Sequence, residues 1–248
     1  MRIAADLHVH TIASGHAYST LAEMVRGARE RGLDAIAILD HGPALPGGAH
    51  EYYFSNLRVL PAYIDGVRVF RGAEANIVGA SGELDISDFT LELLEFVGVS
   101  LHPGCGFESS GVVTNTDAVL AALSRPNVRL ICHPTVPGFE VDLARVVEAA
   151  CERGVLIELN NYSFDSQSFR APRREDNIRL LEICAERGCL IAVNSDAHFH
   201  TLVGEVSYAL EAIQTVGFPE ELIVNTSLAR VESFLYHLSE SNTRRDSQ

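Results

Sequence analysis

The chain has 248 residues, 47% of them hydrophobic and 21% charged, with a formal net charge of −14. That balance fits a globular chain able to bury a sizeable core and excludes a disordered or fibrous one. Phosphate-backbone affinity rests on clustered Lys and Arg, so nucleic acid is not an expected partner, although local cations could still hold a small phosphorylated one.

The opening MRIAADLHVH has no apolar signal core and reads as a first strand beginning almost at once. The longest apolar runs, such as AIAIL at 35–39, fall far short of the roughly 18 residues that span a bilayer. A cytoplasmic protein without a membrane partner is expected. Strand patterns then follow in order: RIAADLH, DAIAILDH, VRVFRGAEA, FVGVSLHP, VRLICHP, VLIELNN and LIAVNSDAH. Between them lie amphipathic stretches: LAEMVRGARERG, a helix-like run near 55–64, TDAVLAALS, DLARVVEAACERG, EDNIRLLEICAERG and, last, GEVSYALEAIQTVG. Such alternation, with near-continuous apolar strands, predicts a parallel sheet covered by helices. Gly32, Gly154 and Gly188 follow helix patterns ending in arginine, where a left-handed residue closes a helix. No linker or repeat interrupts the pattern, so one domain is expected over 1–238, with a polar tail at 239–248. The cysteines Cys105, Cys132, Cys151, Cys184 and Cys189 form no CxxC pair and read as reduced thiols, mostly buried.

No GxGxxG or Walker loop follows the first strand, which leaves an open nucleotide-binding sheet without its phosphate cradle. The strand ends favour a barrel instead. They carry His8 and His10, His41, Glu74, His102, His133, and Asp196 with His198, and His16 sits in the first loop. In a parallel barrel the C-terminal edge carries the active site. Residues two apart on a strand share a face, so His8 and His10 can reach one ion, and Asp196 and His198 repeat the spacing. Imidazoles and carboxylates without thiolate suit zinc, manganese or iron in a hydrolytic centre, zinc being the leading choice. Nine such donors exceed the needs of one ion and imply three divalent ions. These bring six positive charges and the two carboxylates return two, leaving a local charge of about +4 that suits a phosphate and a metal-activated hydroxide.

The runs DLHVHT, LDHG, GAEAN, ICHP and NSDAH together resemble the PHP (polymerase and histidinol phosphatase) superfamily. HAYST, DHGP and ELNN are similar, more narrowly, to its compact YcdX-type phosphatases. The resemblance runs to about residue 236 and implies an α/β fold, a distorted (β/α)7 TIM-like barrel, with a trinuclear metal centre at its C-terminal mouth. It implies that His8, His10, Glu74 and Asp196 hold the first ion and that Glu74 bridges to a second bound by His102 and His133. His16, His41 and His198 would hold the third. The implied reaction is hydrolysis of a small phosphomonoester, with Glu74, Asp196 and His198 closest to the chemistry.

Several residues carry two readings. Arg170, Arg173 and Arg174, in the loop after the sixth strand pattern, could fork a phosphate or simply open a solvated helix. Asn160 and Asn161 could bind substrate or support the ligands from behind. His50, His200 and His237 are read as structural. Cys132 is read as buried and, because its neighbour His133 points into the site, as pointing away from it. Alternative activities on the same residues are a phosphodiesterase or exonuclease and a histidinol phosphatase. A non-catalytic metal-binding module is the alternative from another class. A homo-oligomer stays open.

Overall fold

The computed structural model describes residues 1–170 and 173–235. The tail expected at 239–248, the domain end at 238 and His237 lie outside the described residues.

The strands in chain order are β1 (Ala5–Val9), β2 (Ala35–Ile38), β3 (Tyr63–Ile64), β4 (Val67–Asn76), β5 (Phe96–Ser100), β6 (Val128–Ile131), β7 (Leu156–Asn160) and β8 (Ile191–Asn194). Around them run α1 (Leu21–Glu30), α2 (Glu51–Asn56), α3 (Asp88–Glu92), α4 (Val112–Ala122), α5 (Leu143–Arg153), α6 (Arg174–Arg187) and α7 (Ser207–Val216). All strands but β3 are parallel, in the order β1-β2-β4-β5-β6-β7-β8. Sequence neighbours are thus neighbours in space, the arrangement that strand–helix–strand crossovers of one hand generate.

The seam between β8 and β1 is closed by few backbone bonds. Val9 bridges Ala197, Leu7 N–H donates to Asn194 Oδ1 at 3.0 Å, Asp6 accepts from Ser195, and the buried side chain of Asn225 joins both edges. Its Nδ2 donates to Ala5 O at 2.7 Å and Val193 O at 2.6 Å, while its Oδ1 accepts from Val193 N–H at 3.0 Å. An amide can donate and accept at once, so one side chain serves both strand edges. The result is a nearly closed barrel of seven parallel strands, as the alternating patterns predict.

Inside the barrel, Ala5, Leu7, Ala35, Ala37, Leu39, Phe70, Phe96, Leu130, Cys132, Leu156 and Ala192 form one core, joined by Val224 and Val231. Outward residues such as Ala73, Val97, Ile157 and Val193 form a second core beneath the helices. Close packing leaves no room under the mouth. A Cβ on Gly98 would stand 2.5 Å from Cys132 Sγ, so only glycine fits there. Helix ends follow local chemistry: Thr20 and Glu23 form a reciprocal cap on α1, and Gly154 (φ 66°) and Gly188 (φ 65°) end α5 and α6.

One expectation fails locally. The helix-like run near 55–64 is α2 and a short helical turn to Val59, after which Tyr63–Ile64 pairs antiparallel with β4. Pro61 cannot continue a helix, and Asp65 (φ 48°) with Gly66 (φ 84°) makes the two-residue left-handed turn of a hairpin.

Candidate metal centre

Strict alternation aims most of the centre. On β2, Ala35, Ala37 and Leu39 face inward, and His41 continues that row. On β4, Phe70 and Gly72 lead to Glu74, and on β7, Leu156 leads to Glu158 and Asn160. Two strands depart from it. β1 advances three positions, from Asp6 to Val9, while β2 advances two, from Ile36 to Ile38. That bulge lets His8 follow inward Leu7 and still point inward with His10. On β6, where the pairing also slips by one residue, His133 adopts φ 29°. Left-handed backbone breaks the alternation, so Cys132 and His133 both face the interior. The reading of Cys132 as pointing away is therefore corrected: it is buried, but its thiol stands in one group with His8 and Glu74.

Among the described residues, ten histidine and carboxylate side chains converge at the C-terminal mouth, nine of them singled out from sequence. His8 Nε2 and His10 Nε2 are 3.0 Å apart and lie 3.6 and 3.0 Å from Asp196 Oδ1. Glu74 Oε2 lies 3.3 Å from His8 and 3.6 Å from His10. The other Glu74 oxygen lies 2.8 Å from His133 Nε2 and 3.6 Å from His102 Nε2. His16 Nε2 meets His198 Nε2 at 3.0 Å, and the His16 and His41 rings stack at 5.0 Å. His41 does not belong to one set alone: its Nδ1 is 2.8 Å from Glu74 Oε2, and it groups equally with His10 and His198. The His16 loop is pinned, because Gly15 (φ 77°) lies so close to Gly47 that a Cβ would stand 2.3 Å from its carbonyl oxygen.

The tenth side chain is Glu158, not singled out from sequence. Fully buried, its Oε1 lies 2.7 Å from His8 Nδ1 and its Oε2 accepts the His133 backbone N–H at 2.8 Å. Asn160 and Asn194 also donate to it. A carboxylate on a ligand histidine's far nitrogen sets its tautomer and aim. A glutamate at an inward position of an otherwise apolar strand, two residues before Asn160, is the signal that could have found it. Behind the opposite edge, Asp40 accepts from Thr11, Ser14 and Tyr53, and Ser14 Oγ lies 3.2 Å from His10 Nδ1. Asn76 Oδ1 does the same for His102 Nδ1 at 2.8 Å.

Of the remaining residues, Arg170 is buried and donates from Nη1 to Asp196 Oδ2 at 2.7 Å, and it lines the cavity above the centre. Arg173 pairs with Glu140 and Asp176 and does not line that cavity. Arg174 lies over Phe164. Asn160 Nδ2 donates to Glu158 and Asp196, both at 3.1 Å. Asn161 lines the cavity while its Oδ1 accepts from Ala209 N–H. His50 caps α2, and His200 pairs with Ser19. Arg170 and Glu158 add opposite charges to the count made from sequence, and so leave it unchanged.

The electrostatics call for cations. Burial would raise the Glu74 carboxyl, but His41, His102, His8 and His133 hold it well below the usual carboxylate range. Asp196, likewise buried, is held well below it by His8 and Arg170. Burial would lower His8, yet Glu158 and the other acidic groups around it raise it well above its ordinary value. Burial drives His10 and His102 well down, which keeps their lone pairs free. Three carboxylates, Glu74, Glu158 and Asp196, thus collect around the His8 ring, where a metal ion would offset their charge. His133 Nδ1 is buried without a hydrogen-bond partner, and His41 Nδ1 and His133 Nε2, though each 2.8 Å from a Glu74 oxygen, are not aligned for a hydrogen bond to it. Buried polar atoms are rarely left so, and the donor set fits divalent ions.

A family model described as the PHP domain matches residues 6–224, which carry every one of these side chains. The chain belongs to the PHP domain family. This PHP domain is 42% identical over 239 residues to a protein from Caldanaerobacter subterraneus subsp. tengcongensis named a probable phosphatase, covering 95% of this chain and 92% of that one. A probable phosphatase from Proteus mirabilis is 39% identical over 231 residues, with 93% of each chain covered. Among solved structures, histidinol phosphate phosphatase from Lactococcus lactis, complexed with zinc, L-histidinol and phosphate, matches with a TM-score of 0.61 at 16% identity. That match covers 88% of this chain and 95% of the other. A chain of an archaeal ribonuclease P matches with the same TM-score at 13% identity. At such identities the likeness concerns the fold: the PHP barrel.

Proposed function

We propose that this chain is a metal-dependent phosphatase that hydrolyses a small phosphomonoester at a trinuclear centre. The observation that carries the reading is Glu74, whose two oxygens face two different donor sets in a buried, cation-demanding site. His8, His10, Glu74 and Asp196 would hold one ion, Glu74, His102 and His133 a second, and His16, His41 and His198 a third, with zinc the leading choice and manganese or iron the alternatives. Bound there, divalent ions supply Lewis acidity to the phosphoryl oxygens and to the attacking water. The chain's own residues position and neutralise. Arg170 is set by Asp196 with its Nε unpartnered and buried, and so can give further donors to a phosphate oxygen. Asn160 and Asp196 are tied together, which holds the ligand carboxylate in one orientation. Glu158 and Ser14 hold His8 and His10 from behind, so little reorganisation is needed when charge develops.

The names of the curated relatives support phosphatase activity, and the acidic chain disfavours an exonuclease. No described helix is long and apolar enough to cross a membrane; a cytoplasmic setting is part of the proposal. The test is elemental analysis of protein purified without chelator, paired with phosphate release from a panel of metabolites. About three ions per chain and release from monoesters support the reading. One ion or none per chain would sink the trinuclear centre, and bound metal without any hydrolysis would favour a non-catalytic module.

A further inference from the structure

The cavity above the histidines has a volume of about 720 Å³, within the roughly 300–1,000 Å³ of sites that enclose a whole small molecule. Part of its lining is the centre itself, His16, His41, His102, Asp196 and His198. The rest is dominated by Tyr18, Tyr162, Phe169, Phe199, Leu202 and Tyr208. These come from three separate segments: the loop after β1, the loop after β7, and the stretch from β8 into α7.

These side chains are left in solvent, Tyr18 at 75% and Phe169 at 60% exposure, while Phe54, Phe70 and Phe96 are fully buried. Large exposed apolar groups gathered at one mouth mark a binding surface. Their backbones are anchored. Tyr18 N–H donates to His198 O at 2.9 Å, and Asn161 Oδ1 ties the Tyr162 turn to α7 through Ala209 N–H. Tyr162 and Phe169 meet edge to face at 6.4 Å, with the Arg170 guanidinium near both rings. Of the polar groups along this wall, Glu205 is engaged with Arg31 and Ser207 N–H, Asn161 Oδ1 with Ala209 and Arg170 Nη1 with Asp196. Six large apolar or aromatic side chains dominate the collar, so a flat ring gains more buried area and more edge or face contacts there than a sugar does.

We infer that the substrate is a phosphomonoester whose alcohol ends in an aromatic ring, seated in this collar while the phosphate enters among the histidines. The inference rests on the phosphatase reading above. Its test uses the metal-loaded full chain and three primary alkyl phosphates with similar leaving oxygens: 2-phenylethyl phosphate, butyl phosphate and glucose 6-phosphate. The phenyl ester is expected to exceed both others in kcat/KM by about tenfold. Phe169→Ala and Tyr208→Ala, both at exposed rings, should remove most of that advantage through KM, lowering kcat/KM for the phenyl ester several-fold more than for butyl phosphate, and Tyr208→Phe should keep it. Equal turnover of glucose 6-phosphate, or equal loss on both alkyl esters in the alanine variants, overturns the inference. If no ester is hydrolysed, calorimetry with 2-phenylethylphosphonate and butylphosphonate decides. Tighter binding of the aromatic ligand upholds the collar while the phosphatase reading falls; equal binding or none overturns the collar as well.

Discussion

His8 Nδ1 lies 2.7 Å from Glu158 Oε1, and this contact leaves His8 Nε2 facing Glu74 and Asp196. The strand β7 thereby orients a histidine on β1, its neighbour but one around the barrel. Glu158→Gln presents an amide donor where a carboxylate accepted from His8, His133, Asn160 and Asn194. The variant is expected to fold and to bind metal about 10- to 100-fold more weakly. Competition against a chromogenic chelator measures this; an unchanged affinity would show that packing alone orients His8.

Glu74→Gln removes a charge from two donor sets at once. Elemental analysis should find fewer ions per chain, and kcat/KM should fall by about a thousandfold or more. His50→Asn, which keeps a capping side chain on α2, should change neither. Comparable losses in both variants would contradict the assignment of Glu74.

Asn225→Ala strips the seam between β8 and β1 of one acceptor and two donors, leaving buried backbone groups of Ala5 and Val193 unpaired. Denaturant unfolding should show a loss of about 2–4 kcal/mol. A loss below about 0.5 kcal/mol would mean that the seam is held by the Val9–Ala197 bridge and the interior core instead.

Away from the centre, partial burial would raise the Glu95 carboxyl, but hydrogen bonds from Arg71 and Arg68 outweigh it and lower it. A depressed folded value adds stability above the unfolded value, about 4.3 for glutamate, and that stability is lost as pH falls through the folded value. Glu95→Gln should therefore cost about 1–3 kcal/mol near neutrality, with the gap to the parent closing at acid pH. A gap of constant size from pH 7 to pH 3 would assign the effect to packing.

The fold and most of the centre were legible in the chain. Seven apolar runs set off by amphipathic stretches specify a covered parallel sheet, and histidines and carboxylates at their ends specify which edge is chemical. The departures have local causes. Pro61 and the Asp65–Gly66 turn converted a helix-like run into a hairpin, since apolar spacing alone does not separate a short strand from a helix. Cys132 was misdirected because alternation assumes extended backbone, and His133 at φ 29° is not extended. Glu158 was overlooked because nothing in VLIELNN shows that its carboxylate lies against a histidine 150 residues earlier.

Sequence by itself determined the residue types, their period along each strand and hence their face, because side-chain direction in a strand follows from backbone geometry over a few residues. Tertiary structure decided what that period cannot carry. The bulge in β1 and the left-handed His133 set the final aim of three histidines. Barrel closure brought His16 against His198, 182 residues apart. Loops after β1, β7 and β8 joined their rings in one collar. Those outcomes depend on which strands become neighbours and at what register, and only the packed barrel fixes both.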